Sequence, residues 1–193
     1  MSNDKDIEQY TQWIAEHGAT VQGLGWNSEG GQRLRWKVLS EVYPLSGCSI
    51  LDVGAGFGGF ATYLKEQDIP FADYVGIDIT RAVVDAASCK YKILISDIAD
   101  APLSNVVFAS GIFGTEGTAA QWRRTINQMW GKASNALAFN MLSSLAGDGP
   151  ICRLSPAEVF MFCRELTPWV SLAHNYMPHD FTIYMYRNQC NAV

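Results

Sequence analysis

The stretch ILDVGAGFGGFATYL, residues 50–64, decides how this 193-residue sequence is interpreted. A short apolar run leads into a cluster of glycines, and an aromatic-rich pattern with helical spacing follows it. This order predicts a strand, a tight turn and a helix. The turn forms a pocket, because glycines let a ligand approach the backbone and the first amides of a helix lack intrahelical partners. Two glycine patterns fit: G-x-G-x-x-G through Gly54, Gly56 and Gly59, and acidic-x-G-x-G-x-G through Asp52, Gly54, Gly56 and Gly58.

Short runs rich in Val, Ile, Leu and Phe alternate with helical segments after this stretch. They predict strands over residues 48–53, 73–78, 90–96, 105–110 and 135–142. Such strands, separated by helices, are typical of a parallel sheet covered on both faces. Two last strands, 169–176 and 180–187, are too close in sequence for a helical crossover, so we expect an antiparallel hairpin. The sequence therefore predicts an α/β, Rossmann-like, doubly wound fold. Its sheet has seven strands and is mostly parallel, with an antiparallel C-terminal hairpin and extra N-terminal helices.

Charge and composition restrict the partners of the chain. Its net charge is −5 and its pI is near 5.1. An acidic chain lacks the basic surface with which proteins grip nucleic acid unaided, so nucleic acid is not an expected partner. The N-terminus has no apolar signal-peptide core, and no run approaches the roughly 20 apolar residues that cross a membrane. Five scattered cysteines without a C-x-x-C pair predict reduced thiols in a cytoplasmic protein, and no metal site.

Two acidic residues stand at the ends of predicted strands. Asp78 ends the second strand, where a carboxylate can accept both ribose hydroxyls of a nucleoside. Asp97 ends the third strand and can accept a hydrogen bond from an exocyclic amine of a base. Ile79 and Ile98 follow them and are placed to sandwich a flat base. In the alternative interpretation, Asp97 caps a turn and both isoleucines belong to the core.

Three segments together resemble the motifs of the class I S-adenosylmethionine (SAM)-dependent methyltransferases, in particular of small stand-alone members. LDVGAGFG resembles the first motif, VGIDI the second and ISDIA the third. The resemblance covers most of the chain from Ile50 onward and includes the antiparallel last strand. It implies that the methionine moiety of SAM is held by Asp52 and by the loop from Gly54 through Ala55 and Gly56 to Gly58. It also implies that Asp78 holds the ribose, and that Asp97 and Ile98 hold the adenine.

The opposing interpretation is an NAD-dependent oxidoreductase. Asp52 decides against it, because the α-amino group of SAM needs an acidic partner, whereas a nicotinamide cofactor does not. A nicotinamide enzyme also needs a second mononucleotide-binding half, and the residues after the glycines end in a hairpin instead. The sequence therefore favours methyl transfer over hydride transfer.

The segment before the sheet resembles a stretch in small stand-alone members of the same family. Its corresponding residues are Gly25, Trp26, Gln32, Arg35 and Trp36. Arg35 is the candidate donor to the carboxylate of SAM, and Trp26 is the candidate aromatic face for its sulfonium. Alternatively, Arg35 lies on the surface and Trp26 packs at the edge of the core. We expect one methyltransferase domain over residues 1–193, with a helical lid or cap at 1–46 and a catalytic core at 47–193.

The predicted fourth strand ends in Ala109-Ser110-Gly111-Ile112, where amino-directed nucleic-acid methyltransferases carry an Asp/Asn-Pro-Pro-aromatic sequence. This departure argues against methylation of adenine N6, cytosine N4 or glutamine N5. Ser110, at the end of the same strand, is a candidate cofactor-binding residue. Asn140, late in the fifth strand, is a candidate catalytic residue whose side chain can face the cleft. His179, beside Asp180 in the hairpin turn, is a candidate general base. Equally, His179 and Asp180 are ordinary turn residues.

The sequence predicts a cytoplasmic SAM-dependent methyltransferase that acts on a nucleophilic O, N or C atom, with a small molecule as the favoured acceptor. Two alternatives stay open. One is methylation of protein or RNA with the help of a partner. The other is a catalytically silent methyltransferase-fold module that binds in an assembly. The motifs identify neither the acceptor nor the oligomeric state.

Overall fold

A computed structural model describes residues 3–87, 91–114, 121–146 and 153–189 of the chain. Its strands are β1 (Ser49–Val53), β2 (Asp73–Asp78), β3 (Lys92–Ile95), β4 (Ser104–Ala109), β5 (Ala133–Leu142), β6 (Val170–Met177) and β7 (Asp180–Tyr186). Its α-helices are α1 (Asn3–His17), α2 (Glu29–Ser40), α3 (Gly59–Glu66), α4 (Arg81–Ala86), α5 (Trp122–Lys132) and α6 (Pro156–Leu166). Short 3₁₀ helices occupy Gln22–Leu24 and Ile98–Asp100.

The seven strands form one sheet in the order β3-β2-β1-β4-β5-β7-β6. Strands β1 to β5 pair in parallel, so their carboxyl ends meet at one edge of the sheet. Strand β7 is antiparallel to both of its neighbours and lies between β5 and β6. The predicted fold class, including the mostly parallel sheet and the antiparallel C-terminal hairpin, is confirmed.

Hydrophobic layers cover both faces of the sheet. On one face, Leu51 and Val107 belong to a cluster with the buried residues of α5 and α6. On the other face, Ile50 and Phe108 belong to a cluster with residues of α2 and α3. Because successive side chains of a strand point to opposite faces, a strand covered on both sides must be apolar throughout. This two-sided burial explains the near-continuous apolar runs in the sequence.

The segment before the sheet packs on itself and on the rest of the molecule. Helix α1 lies against the 3₁₀ helix Gln22–Leu24 and against α4, while α2 packs on α3. The indole of Trp13 fills the space beside Gly25, where an added Cβ would lie 2.5 Å from the ring. Through these contacts α1 approaches the carboxyl edge of the sheet. None of the helices in the described ranges is long and apolar enough to cross a membrane.

Candidate functional site

A cavity of about 400 Å³ lies where the carboxyl ends of β1 to β4 meet the N-terminal segment. Most of the side chains that the sequence marks for cofactor binding line it. They are Trp26, Asp52, Gly54, Ala55, Gly56, Asp78, Ile79, Asp97, Ile98 and Ser110. The fold therefore brings these residues from five separate places in the sequence to one cavity, as expected at the carboxyl edge of an open α/β sheet.

The glycine loop between β1 and α3 is held against the end of β2. The amides of Gly54 and Ala55 both donate to the carbonyl of Ile77, at 2.9 and 3.0 Å. The Gly54 backbone also tolerates no side chain, because a Cβ there would lie 2.3 Å from Cγ2 of Ile112. The loop consequently presents bare backbone to the cavity.

Gly58 and Gly59 serve different purposes, which separates the two glycine patterns. Gly58 is the N-cap of α3 and has a φ of 76°, in the left-handed region that favours glycine. Gly59 is the first helical residue, and a Cβ there would lie 2.6 Å from the indole of Trp36. The acidic-x-G-x-G-x-G pattern thus follows the backbone of the turn, whereas Gly59 reflects the packing of α2 on α3.

Asp52 is a buried carboxylate at the end of β1, with only 4% of its surface exposed. The hydroxyl of Tyr74 donates to its Oδ2 at 2.5 Å. Burial raises the pKa of Asp52 to about 7, and the nearby carboxylate of Asp78 acts in the same direction, while the Tyr74 hydrogen bond opposes them. A cation in the cavity would favour the charged form of this carboxylate.

Asp78 connects the second strand to the glycine loop. Its Oδ2 accepts from the amide of Gly56 at 3.2 Å, and its Oδ1 accepts from the amide of Thr80 at 2.9 Å. Burial raises the pKa of Asp78, although these backbone donors oppose the shift. The hydroxyl of Thr80 and the amide of Ile79 also lower its pKa, and the carboxylate lines the cavity.

Asp97 caps a short helix, as the alternative interpretation predicts, and it also lines the cavity. Its Oδ1 accepts from the amide of Ala99 at 3.0 Å and so caps the 3₁₀ helix Ile98–Asp100. The same residue lines the cavity together with Ile79 and Ile98. Capping therefore fixes the position of a carboxylate that also faces the cavity.

Arg35 is not among the residues that line the cavity, contrary to its predicted position. It lies on the buried face of α2, where its Nε donates to Oδ2 of Asp180 at 2.7 Å and its Nη1 donates to the carbonyl of Gly31 at 3.0 Å. The hydroxyl of Tyr176 donates to the other oxygen of Asp180. The guanidinium is thus already paired, which gives it a structural role between α2 and the hairpin.

Trp26 joins this ion pair to the cavity wall. Its indole lies 5.0 Å from the guanidinium of Arg35, in a cation–π contact. The ring also packs on Gly111, where a Cβ would lie 2.6 Å from Cζ2. Trp26 is therefore positioned from two sides, one of them the end of β4.

The two candidate catalytic residues have different surroundings. Asn140 is buried, and its amide spans the end of β4: Nδ2 donates to Oγ of Ser110 at 3.1 Å, and Oδ1 accepts from the amide of Gly111 at 2.9 Å. It reaches the cavity through Ser110 and does not line it. His179 is exposed in the turn between β6 and β7 and does not line the cavity either. The structure brings neither side chain to the cavity wall.

Sequence reasoning missed several residues of the cavity wall. Helix α1 contributes Asp6 and Tyr10, the 3₁₀ helix contributes Leu24, and α5 contributes a polar stripe that includes Arg124. A lid is expected over residues 1–46, but a helical pattern shows only which residues share a face and not which face of α1 meets the sheet. Over the described residues, no group of three His, Cys, Asp or Glu side chains is arranged to hold a metal ion.

Solved structures share this fold at low sequence identity. One is magnesium protoporphyrin IX methyltransferase (ChlM) from Synechocystis PCC 6803 with bound SAH, with a TM-score of 0.67, 12% identity, and 96% of this chain and 95% of that chain covered. Another is the plantazolicin methyltransferase BpumL with a triazolic desmethylPZN analog and SAH, with a TM-score of 0.66, 15% identity, and 96% and 98% covered.

A chain in the complex of the Haloferax volcanii Trm112 methyltransferase activator with its proposed methyltransferase is also similar. Its TM-score is 0.72 at 14% identity, with 94% of this chain and 98% of that chain covered. No protein-family model matches the sequence, and no match was found among curated proteins. The structural likeness shows that the chain has the fold of the class I SAM-dependent methyltransferases, as its motifs predict.

Proposed function

We propose that this chain is a SAM-dependent methyltransferase that transfers the sulfonium methyl group to a nucleophilic O, N or C atom. The observation that carries the proposal is the arrangement of three carboxylates around one cavity in this fold. Asp52, Asp78 and Asp97 stand at the ends of β1, β2 and β3, which are adjacent in the sheet. Each carboxylate suits a different polar part of SAM: the α-ammonium, the ribose hydroxyls and the adenine amine.

The polar groups that line the cavity fit SAM better than they fit a dinucleotide. Asp52 is buried with a raised pKa, and an ammonium group beside it would restore its charge. We propose that Gly54, Ala55 and Gly56 hold the amino-acid end with Asp52. Asp78 accepts the ribose hydroxyls, and Ile79 and Ile98 pack on the adenine. Trp26 offers an aromatic face to the sulfonium, and Ser110 lies beside the cofactor. When bound, SAM supplies an electrophilic methyl group on a positively charged sulfur.

The chain's own contribution to methyl transfer is mainly alignment. Displacement at the methyl carbon requires the acceptor atom, the carbon and the sulfur in line, so holding the two reactants in place lowers the barrier. Asn140 supports this geometry by fixing Ser110 and the Gly111 backbone at the end of β4. We therefore assign Asn140 as a positioning residue. The helical segment 1–46 acts as the cap of the core at 47–193.

A small molecule is the proposed acceptor of this cytoplasmic enzyme. The net charge of −5 disfavours nucleic acid as a partner that the chain binds unaided. Among proteins of this fold, ChlM is a magnesium protoporphyrin IX methyltransferase, and BpumL was crystallised with a desmethylPZN analog. A second candidate function is methylation of a protein or RNA with a partner, which the similarity to the Trm112-bound chain favours.

Calorimetry with SAM, SAH and NAD tests the cofactor directly. We expect SAM and SAH to bind and NAD not to bind, and the reverse result would refute the proposal. Asp78→Ala should weaken SAM binding by about 2 kcal/mol, since it removes a buried acceptor for two hydroxyls. Asp73→Ala is the matched control, because Asp73 is an exposed residue at the other end of the same strand.

Labelled methyl transfer into cell extract then distinguishes the acceptor classes. Label in the metabolite fraction supports the small-molecule acceptor, and label in the protein or RNA fraction supports the partner-assisted alternative. SAM binding without label in any fraction indicates a silent binding module.

A further inference from the structure

Two polar residues of α1 reach the cavity that the sequence motifs form. Asp6 and Tyr10 are one helical turn apart, so both side chains lie on the same face of α1. Asp6 is only 5% exposed, whereas its neighbours Asp4 and Lys5 are exposed. An acidic residue in the first turn of a terminal helix is normally solvated, because burial of a carboxylate costs free energy. The burial of Asp6 therefore marks the face of α1 that covers the cavity.

This face of α1 lies over the end of β2. Helix α1 packs against α4, which begins three residues after Asp78. Burial raises the pKa of Tyr10, and the carboxylates of Asp78 and Asp6 raise it further. Its phenol is thus a protonated donor close to two carboxylates. Tyr10 packs edge-on against Trp13 at 5.2 Å, and Trp13 in turn packs against Gly25.

We propose that Asp6 and Tyr10 complete a ribose site with Asp78, so that α1 closes over the sugar of the bound nucleoside cofactor. The inference rests on the proposed function and extends it from the sheet to the cap. A ribose diol offers two hydroxyl donors and two acceptor oxygens. Asp78 accepts from the diol on the sheet side, Asp6 accepts on the cap side, and Tyr10 donates to a ribose oxygen. Because SAM and SAH carry the same ribose, these contacts stabilise both ligands equally.

The first test is calorimetry with SAH on Asp6→Asn and Tyr10→Phe, which preserve side-chain shape. We expect about tenfold weaker SAH binding for each variant, equivalent to about 1.4 kcal/mol. The matched control is Glu8→Gln, since Glu8 is exposed on the same helix and the change also removes one negative charge. Unchanged affinity in Asp6→Asn and Tyr10→Phe would refute the inference.

The second test changes the ligand as well as the protein, by removing one ribose hydroxyl at a time. The 2′-deoxy and 3′-deoxy forms of SAH are titrated into the wild-type chain and into Asp6→Asn. If Asp6 accepts from one hydroxyl, the variant and the wild type should bind the analogue that lacks this hydroxyl within about twofold of each other. A tenfold loss for SAH and for both analogues would show that Asp6 acts on the helix and not on the sugar.

The outcomes separate the two proposals. A wild-type chain that binds neither SAM nor SAH refutes the proposed function, and this inference fails with it. A wild-type chain that binds SAH, together with an Asp6→Asn variant of equal affinity, refutes the cap-borne ribose contacts alone. Far-ultraviolet circular dichroism of each variant verifies that α1 is retained.

Discussion

Replacing Asp52 by Asn removes a buried negative charge from the end of β1 with almost no change in shape. Burial raises the pKa of this carboxyl from 3.8 to about 7. At about 1.4 kcal/mol per pH unit, the charged carboxylate costs the folded state about 4 kcal/mol above pH 7. The hydrogen bond from Tyr74 is stronger to a carboxylate than to an amide, so the net gain in Asp52→Asn should be about 2–4 kcal/mol.

The sign of the pH dependence follows from proton binding. Between pH 3.8 and about 7, the folded carboxyl keeps its proton while the unfolded one has released it. The unfolded state then binds fewer protons, so this group makes stability fall as the pH rises through that interval, and its effect is constant above it. In Asp52→Asn this contribution disappears, and the two proteins should differ little at pH 4.

Urea denaturation of the apo protein at pH 4, 6 and 8 measures this effect. We expect Asp52→Asn to have the higher free energy of unfolding at pH 8 and nearly the same value as the wild type at pH 4. The same variant should bind SAM more weakly, because the proposed ammonium partner is gone. A variant that is less stable than the wild type at pH 8, or a difference that does not vary with pH, would refute the reasoning about the buried charge.

Three other substitutions test separate parts of the structure. Gly54→Ala should abolish SAM binding, since φ is 70° there and the new Cβ would meet Ile112; calorimetry that finds wild-type affinity would contradict the close approach. Arg35→Met should lower the free energy of unfolding by about 3–5 kcal/mol by leaving Asp180 buried without its cation. Adding Asp180→Asn should recover part of that loss in urea denaturation, and two additive losses would argue against direct pairing. His179→Ala should leave cofactor affinity and turnover unchanged, because the side chain is exposed outside the cavity. If the variant lost turnover but kept its affinity for SAM, His179 would again be a candidate general base.

The elements of the core were predictable because local patterns determine them. In α5, the spacing of Trp122, Ile126, Met129 and Trp130 indicates one apolar face, and all four side chains are buried. The ends of all the predicted strands agree with the structure to within two residues. The sequence also predicts that the motifs at the ends of β1, β2 and β3 lie close together, because parallel strands end at a common edge.

Local sequence patterns do not predict contacts between side chains that are far apart in the sequence. The partner of Arg35 is 145 residues away, and a helical pattern assigns an isolated arginine to the surface. Likewise, the helical pattern of α1 shows Tyr10 only as a residue of its apolar face. That Tyr10 lines the cavity follows from the packing of α1 against α4. In both cases the deciding information is where a helix docks, which depends on tertiary packing and not on its own periodicity.

The position of β7 inside the sheet affects the order in which the strands can pair as the chain folds. Within the described part of the chain, strand β6 pairs only with β7, and β7 comes later in the sequence. When β6 emerges from the ribosome, its final neighbour does not yet exist, and the edge of β5 is still open. The hairpin therefore joins the sheet last, and the Arg35–Asp180 contact must form after it. A chain interrupted before β7 would leave the edge of β5 unpaired and therefore open to aggregation.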